Sequence, residues 1–263
     1  MSSQVFPPLA AQLYTVRDLV QTDMATTLQQ IAKIGYTGVE MGGYGSLRDA
    51  VSVKKVLHDN GLKIAGSHVG IETLERELDR VLDEQEVLGN RTIIVPWMPE
   101  ERRRDAEGWK ASAAALNQIG QECVARGFTF CYHHHSFEFA RFKPRGSNVE
   151  KTGMDILWEN SDPKFVKAEI DTYWVKHGKH DPVDYINKLG RRVELVHLKD
   201  MASGPEQNFA PVGTGILDFK QILDACTNTG AKWAIVEQDD CYTTPPMEAL
   251  RVSFENLRKI QAE

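Results

Sequence analysis

Eight short apolar runs punctuate this chain, each followed by a stretch of helical periodicity, and no other feature limits its fold so much. The runs read LAAQLYT, GVEM, LKIAGSH, RTIIVPW, FTFCYHHH, FVKAEID, VELVHLK and WAIVEQD. Between them lie segments with amphipathic spacing. In ATTLQQIAKIG, Leu28, Ile31 and Ile34 share a face and Gly35 closes the segment. In LERELDRVLDEQEVLG, Leu74, Leu78, Val81 and Leu82 share a face and Gly89 is the stop; ALRVSFENLRKIQ is the last such stretch. Eight units in 263 residues make about 33 residues each, near the ~30 of a strand–helix–strand unit. Strict alternation demands a parallel sheet. Eight units predict an α/β fold, a closed (β/α)8 TIM barrel, as a single domain over residues 1–263. An open doubly wound sheet would carry a glycine-rich fingerprint after its first strand, and QLYTVRD has none.

In such a barrel, chemistry collects where strands end. The ends of these runs carry Tyr14, Glu40, His68, Trp97, His133 with His135, Asp171, His197 with Lys199, and Glu237 with Asp239, whereas Ile, Val, Ala, Phe and Leu dominate the rest. Alternation along a strand then sorts them. His197 and Lys199 share one face, and Val196 and Leu198 the other. Val166, Ala168 and Ile170 suit the helix layer, which turns Lys167, Glu169 and Asp171 to the lumen. In the histidine triplet, bulky Phe128, Phe130 and Tyr132 suit the shell and small Thr129 and Cys131 the lumen. His133 and His135 are thereby placed in the pocket, and His134 outside it as a bystander.

Successive strands five to eight converge with His133, Asp171, His197 and Glu237. Two imidazoles and two carboxylates suit a divalent ion of intermediate hardness, with positions left for substrate oxygens. Thirty-one basic against thirty-seven acidic residues give a net charge of −6, which disfavours a nucleic-acid-gripping protein. The cysteines Cys123, Cys131, Cys226 and Cys241 show no metal or redox spacing and read as reduced thiols. No stretch approaches the ~20 apolar residues of a membrane span, and MSSQVFPPLA lacks the features of a signal peptide, so the expectation is a cytoplasmic protein.

The segments YHHHSFEF, EIDTYW, VHLKD, PVGTGILDF and VEQD, with AQLYTVRD and GYTGVEM before them, resemble the signatures of the sugar phosphate isomerase/epimerase superfamily, the xylose isomerase-like TIM barrels. The resemblance covers essentially the whole chain. It implies one divalent metal, Mn2+ first, with Co2+, Zn2+, Fe2+ or Mg2+ as alternatives, at the C-terminal ends of strands five to eight. It also implies a sugar or cyclitol substrate and is compatible with a homodimer; the acidic balance and the lack of a long apolar run give the expectation of no nucleic-acid and no membrane partner. Many epimerases of the superfamily carry a glutamate as the strand-five ligand. This chain has His133 there, in a Tyr-His-x-His run resembling that of inosose dehydratases, with Glu138 as the alternative ligand.

The implied reaction is proton transfer beside a carbonyl through a metal-stabilised enediolate. Glu237, His135 or His68 would move the proton, Lys199 would hold an oxyanion, and Tyr14, Glu40, Trp97, Glu138 and Trp174 would contact substrate. Isomerase or epimerase is the first reading. A dehydratase or lyase acting on an inosose or a 3-keto sugar is the second, and an AP-endonuclease-like DNA repair enzyme is a distant third. Gly213 and Gly215, in the loop before the last strand, are candidates for binding a phosphate, and Arg141, Lys143 and Arg145 for binding an anion.

Overall fold

The computed structural model describes residues 6–262; the first five residues, part of the segment read above as lacking a signal peptide, and Glu263 lie outside it. Eight parallel strands form a closed barrel in chain order: β1 (Leu9–Gln12), β2 (Gly38–Met41), β3 (Lys63–His68), β4 (Thr92–Val95), β5 (Thr129–His133), β6 (Lys167–Asp171), β7 (Val193–Leu198) and β8 (Trp233–Val236). Closure is made by β1 against β8, where Ala10 pairs with Ile235, and against β2, where Ala10 pairs with Gly38. Each of the eight apolar runs holds one barrel strand.

Within the strands, the sorting of apolar side chains predicted from alternation is the one observed. A small inner core of Ala10, Ala65, Ile94, Cys131, Leu195 and Ile235 fills the lumen. Phe130, Tyr132, Val166, Ala168, Ile170, Val196 and Leu198 belong instead to the large layer between sheet and helices. Short and aliphatic side chains fill the narrow lumen, while the aromatics Phe130 and Tyr132 go to the wider layer under the helices.

The surrounding helices are α1 (Arg17–Ile34), α2 (Ala50–Asp59), α3 (Ile71–Leu88), α4 (Ala106–Ala125), α5 (Gly153–Asn160), α6 (Thr172–His177), α7 (Pro182–Leu189), α8 (Phe219–Thr229) and α9 (Pro246–Ala262). The helix predicted from Ala25 begins earlier, at Arg17, but is broken at Asp23, whose carboxylate accepts from the Thr26 amide and starts the second segment. Gly35 and Gly89 close α1 and α3 with positive φ, as their positions predicted. At the C-terminal face, two short antiparallel ribbons pair Arg141–Phe142 with Lys151–Thr152 and Asp200–Met201 with Phe209–Ala210.

Candidate active site

Strand ends bring seven of the predicted residues into one buried cluster. Glu40 arrives from β2, His68 from β3, His133 from β5, Asp171 from β6 and His197 from β7, with Lys199 and Glu237 just beyond the ends of β7 and β8. Glu40, Asp171 and His197 are entirely buried, and His68 keeps 16% of its side chain exposed. At the centre lies Glu169, two residues before Asp171 on the same face. Its Oε2 stands 3.1 Å from His68 Nε2, 3.0 Å from His133 Nδ1 and 3.3 Å from His197 Nε2. Alternation had turned Glu169 to the lumen, yet no role attached to it, because its partners come from three other strands.

Two groups of donor atoms lie close enough to share an ion. Asp171, His197 and Glu237 form one, and His68, His133, Glu169 and His197 the other, with ligand atoms in each group within 4.8 Å of one another. His133 reaches toward the first group, its Nε2 being 3.9 Å from Asp171 Oδ2. Both predicted imidazole ligands have their second nitrogen held by a buried carboxylate: His133 Nδ1 by Glu169, and His197 Nε2 by Glu40 at 2.7 Å. An N–H given to a carboxylate on one side leaves a lone pair on the other, the arrangement that orients histidines toward a metal.

The charge of the cluster tests the same point. Glu40, Glu169, Asp171, Glu237 and Asp239 face a single ammonium, that of Lys199, which lies 3.3 Å from Asp171 Oδ2, 3.1 Å from Glu237 Oε2 and 2.8 Å from Asp239 Oδ2. Glu40 Oε2, Glu169 Oε1 and Asp171 Oδ2 are buried without a hydrogen-bond partner. Buried negative charge in such excess requires cations, either protons on the histidines or a divalent ion. The donor set fits a metal.

Without one, the histidines divide. Burial opposes protonation of His68, but Glu40 and Glu169 overcome it and raise its pKa to about 10. His197 is raised too, against burial, by Glu169, Glu40 and Glu237. His133 is held neutral by burial and by the neighbouring His197. Burial pushes Asp171 up to about 6 although Lys199 and His197 pull it down; it would also raise Glu237, where Lys199 and His197 win and the carboxylate stays ionised. Asp171 has a second task, accepting the Trp174 amide at 2.9 Å as the N-cap of α6.

The histidine triplet is distributed differently from the parity argument. β5 ends at His133, so alternation no longer governs the next two residues. His134 does lie on the shell side, but it is completely buried and is no bystander. Its Nε2 accepts from the Asp171 amide at 3.1 Å and its Nδ1 meets the His135 carbonyl at 2.9 Å, so it ties the end of β5 to the end of β6. His135 stacks on Phe137 and lies beside Trp174 and His133. Burial and Lys199 lower its pKa to about 3, and its Nδ1 has no partner.

Glu138 stands apart from the cluster. One oxygen accepts from Tyr132 Oη at 2.7 Å and the other from the His135 amide at 2.9 Å. Tyr14 and Trp97 are 52% and 48% exposed, at the rim, whereas Trp174 lines the interior with Phe209, and Lys199 Nζ lies 5.3 Å from each of those two rings. Gln12, not singled out from sequence, donates to Glu40. The glycine loop does not await a phosphate: the Gly213 and Gly215 amides donate to Asp200 Oδ2 at 3.0 and 2.8 Å. A Cβ at Gly215 would sit 2.2 Å from the Met201 carbonyl oxygen, so this glycine serves close packing. Arg141 and Arg145 are exposed.

Among the described residues no helix is long and apolar enough to cross a membrane. An inosose dehydratase of Geobacillus kaustophilus is 29% identical over 198 residues, covering 66% of this chain and 61% of that protein. One of Geobacillus thermodenitrificans is 25% identical over 264 residues, covering 85% of each. In fold, the chain superposes on a sugar phosphate isomerase/epimerase from Parabacteroides distasonis with a TM-score of 0.83, at 23% identity over 98% of this chain and 96% of that one. The family model described as the xylose isomerase-like TIM barrel matches residues 28–260, and the chain belongs to that family.

Proposed function

We propose that this chain moves a proton next to the carbonyl of a sugar or cyclitol, as a divalent-metal-dependent isomerase or epimerase. The observation that supports it most is the meeting of Asp171, His197 and Glu237 at the mouth of a barrel, with His133 Nε2 3.9 Å from Asp171 and with Glu169 and Glu40 behind the two imidazoles. These four would hold the ion, Mn2+ being the first choice. When bound, the ion would polarise the carbonyl and acidify the neighbouring C–H.

The side chains around it divide the remaining work. His135, neutral with a free Nδ1, and Glu237, ionised, are the groups able to take a proton. His68, whose Nε2 lies 2.9 Å from Glu40 and 3.1 Å from Glu169, is the group placed to give one. The Lys199 ammonium is placed to steady negative charge developing on a substrate oxygen, and Trp174, set edge to face with Phe209, offers its ring to a C–H face of the substrate.

Returning the proton to the opposite face gives an epimer; returning it to the adjacent carbon gives an isomer. Expulsion of a β-hydroxyl instead would make the chain a dehydratase, a second reading favoured by the inosose dehydratases among its relatives. The deciding experiment incubates Mn2+-loaded protein in D2O with ketoses, 3-keto-glycosides and inososes. Deuterium at the carbon beside the carbonyl is the expected result, and NMR of the product separates inversion, isomerisation and water loss. Absence of exchange in every substrate, with His133→Ala and Glu237→Gln binding metal normally, would overturn the site.

A further inference from the structure

Gln12 and Glu40 stand side by side in the barrel wall. They are the last register pair between β1 and β2. Alternation turns Gln12 to the lumen, since Ala10, two residues before it, belongs to the inner core. Gln12 is completely buried, and both ends of its amide are engaged. Its Oε1 accepts from the Tyr14 amide at 3.1 Å, which caps the short turn Leu13–Val16. A backbone N–H can only donate, so the oxygen of the side-chain amide must face Tyr14 and its NH2 must face Glu40. Nε2 then donates to Glu40 Oε1.

That same oxygen serves two imidazoles. His197 Nε2 lies 2.7 Å and His68 Nε2 2.9 Å from Glu40 Oε1, while Glu40 Oε2 is buried without a partner. The last torsion of a glutamate is soft, so a carboxylate gripped through one oxygen is free to turn unless a neighbour stops it. The neighbour on its β3 side gives no such restraint, because the residue in register with Glu40 there is Gly66, which has no side chain. Of the three donors, Gln12 is the one anchored to the backbone, through Tyr14.

Resting on the metal-dependent reading, we infer that Gln12 is a positioning residue: it locks Glu40 Oε1 against His197 Nε2, so that His197 keeps its N–H on Nε2 and turns Nδ1 to the ion. Nδ1 faces the other two members of the group, with Glu237 Oε2 at 2.9 Å and Asp171 Oδ2 at 4.0 Å. An amide does this without adding charge. A lysine in its place would offset one of the carboxylates that balance the ion, and a carboxylate would repel Glu40.

The test reads the ring and the affinity, not turnover. In Zn2+-loaded wild-type protein, long-range proton–nitrogen correlation spectra should show His197 with its proton on Nε2 and with Nδ1 shifted by the metal. Gln12→Met removes both hydrogen bonds at nearly constant length. Gln12→Ser keeps an acceptor for the Tyr14 amide but is too short to reach Glu40. Both variants are expected to bind Zn2+ about tenfold more weakly in calorimetry and to show signals for a second His197 ring orientation. Full affinity in Gln12→Ser would mean that the residue only caps the turn, and would overturn the assignment. So would a wild-type His197 bound to zinc through Nε2, a result that needs no variant to fold and leaves the metal site standing. Failure to bind zinc, or binding that leaves the His197 signals unmoved, would overturn the metal reading and this assignment together.

Discussion

His133 Nδ1 lies 3.0 Å from Glu169 Oε2, and its Nε2 faces Asp171 at 3.9 Å. A carboxylate behind a ligating imidazole fixes its orientation and raises its basicity, and loss of such a partner costs 10–100-fold in metal affinity. Glu169→Gln should therefore weaken Mn2+ binding by roughly that factor in calorimetry while the far-UV circular dichroism stays unchanged. An unchanged affinity would place the ion away from His133.

One divalent ion per chain is the stoichiometry that the Asp171, His197 and Glu237 group implies. Elemental analysis of purified protein should find it, and Asp171→Asn should remove it. Three zinc ions per chain would instead favour a nuclease on this fold.

Lys199 is the sole ammonium among three carboxylates. Removing one partner of a buried ion cluster costs about 3–5 kcal/mol because the others keep their charge. Lys199→Met should lose about that much stability in urea when metal is absent. Adding Asp239→Asn should recover part of the loss, since it deletes one of the orphaned charges. Two additive losses would mean that the pair is not coupled.

Burial raises the Glu138 pKa to about 7 despite its bonds from Tyr132 and the His135 amide. A carboxyl raised in the folded state binds its proton more tightly there than in the unfolded chain. The stabilisation is present below the unfolded pKa and is lost as pH rises through about 7. Between those limits it amounts to about 3 kcal/mol at most. Glu138→Gln cannot ionise, so urea titrations at pH 4.5 and 8 should show a smaller fall in stability for the variant than for the wild type. Equal falls would mean that Glu138 titrates normally.

A Cβ on Gly215 would press against the Met201 carbonyl and the Asp200 carboxylate at once. Gly215→Ala should destabilise by about 1–3 kcal/mol, as overpacking does, and loosen the loop that Asp200 holds. A melting temperature within a degree of wild type would show that the loop relaxes freely.

The sequence by itself determined the barrel and the lumen side of most of its strands, because period-two alternation and the preference of aromatic rings for the wide layer between sheet and helices are local properties. From these came the pocket positions of His197, Asp171 and Glu169. Only the tertiary structure decided which groups meet. Glu40 and His197 are 157 residues apart in the chain, and Glu169 and His68 are 101. Their contacts depend on the stagger between strands and on side-chain rotamers, neither of which has a local signature. The same holds where alternation stops. Past the end of β5 the backbone turns, so His134 became a tether on Asp171 and Glu138 a buried carboxyl beneath His135. The glycine loop, suited in sequence to an outside anion, closes on Asp200 because that carboxylate is already within reach of its amides.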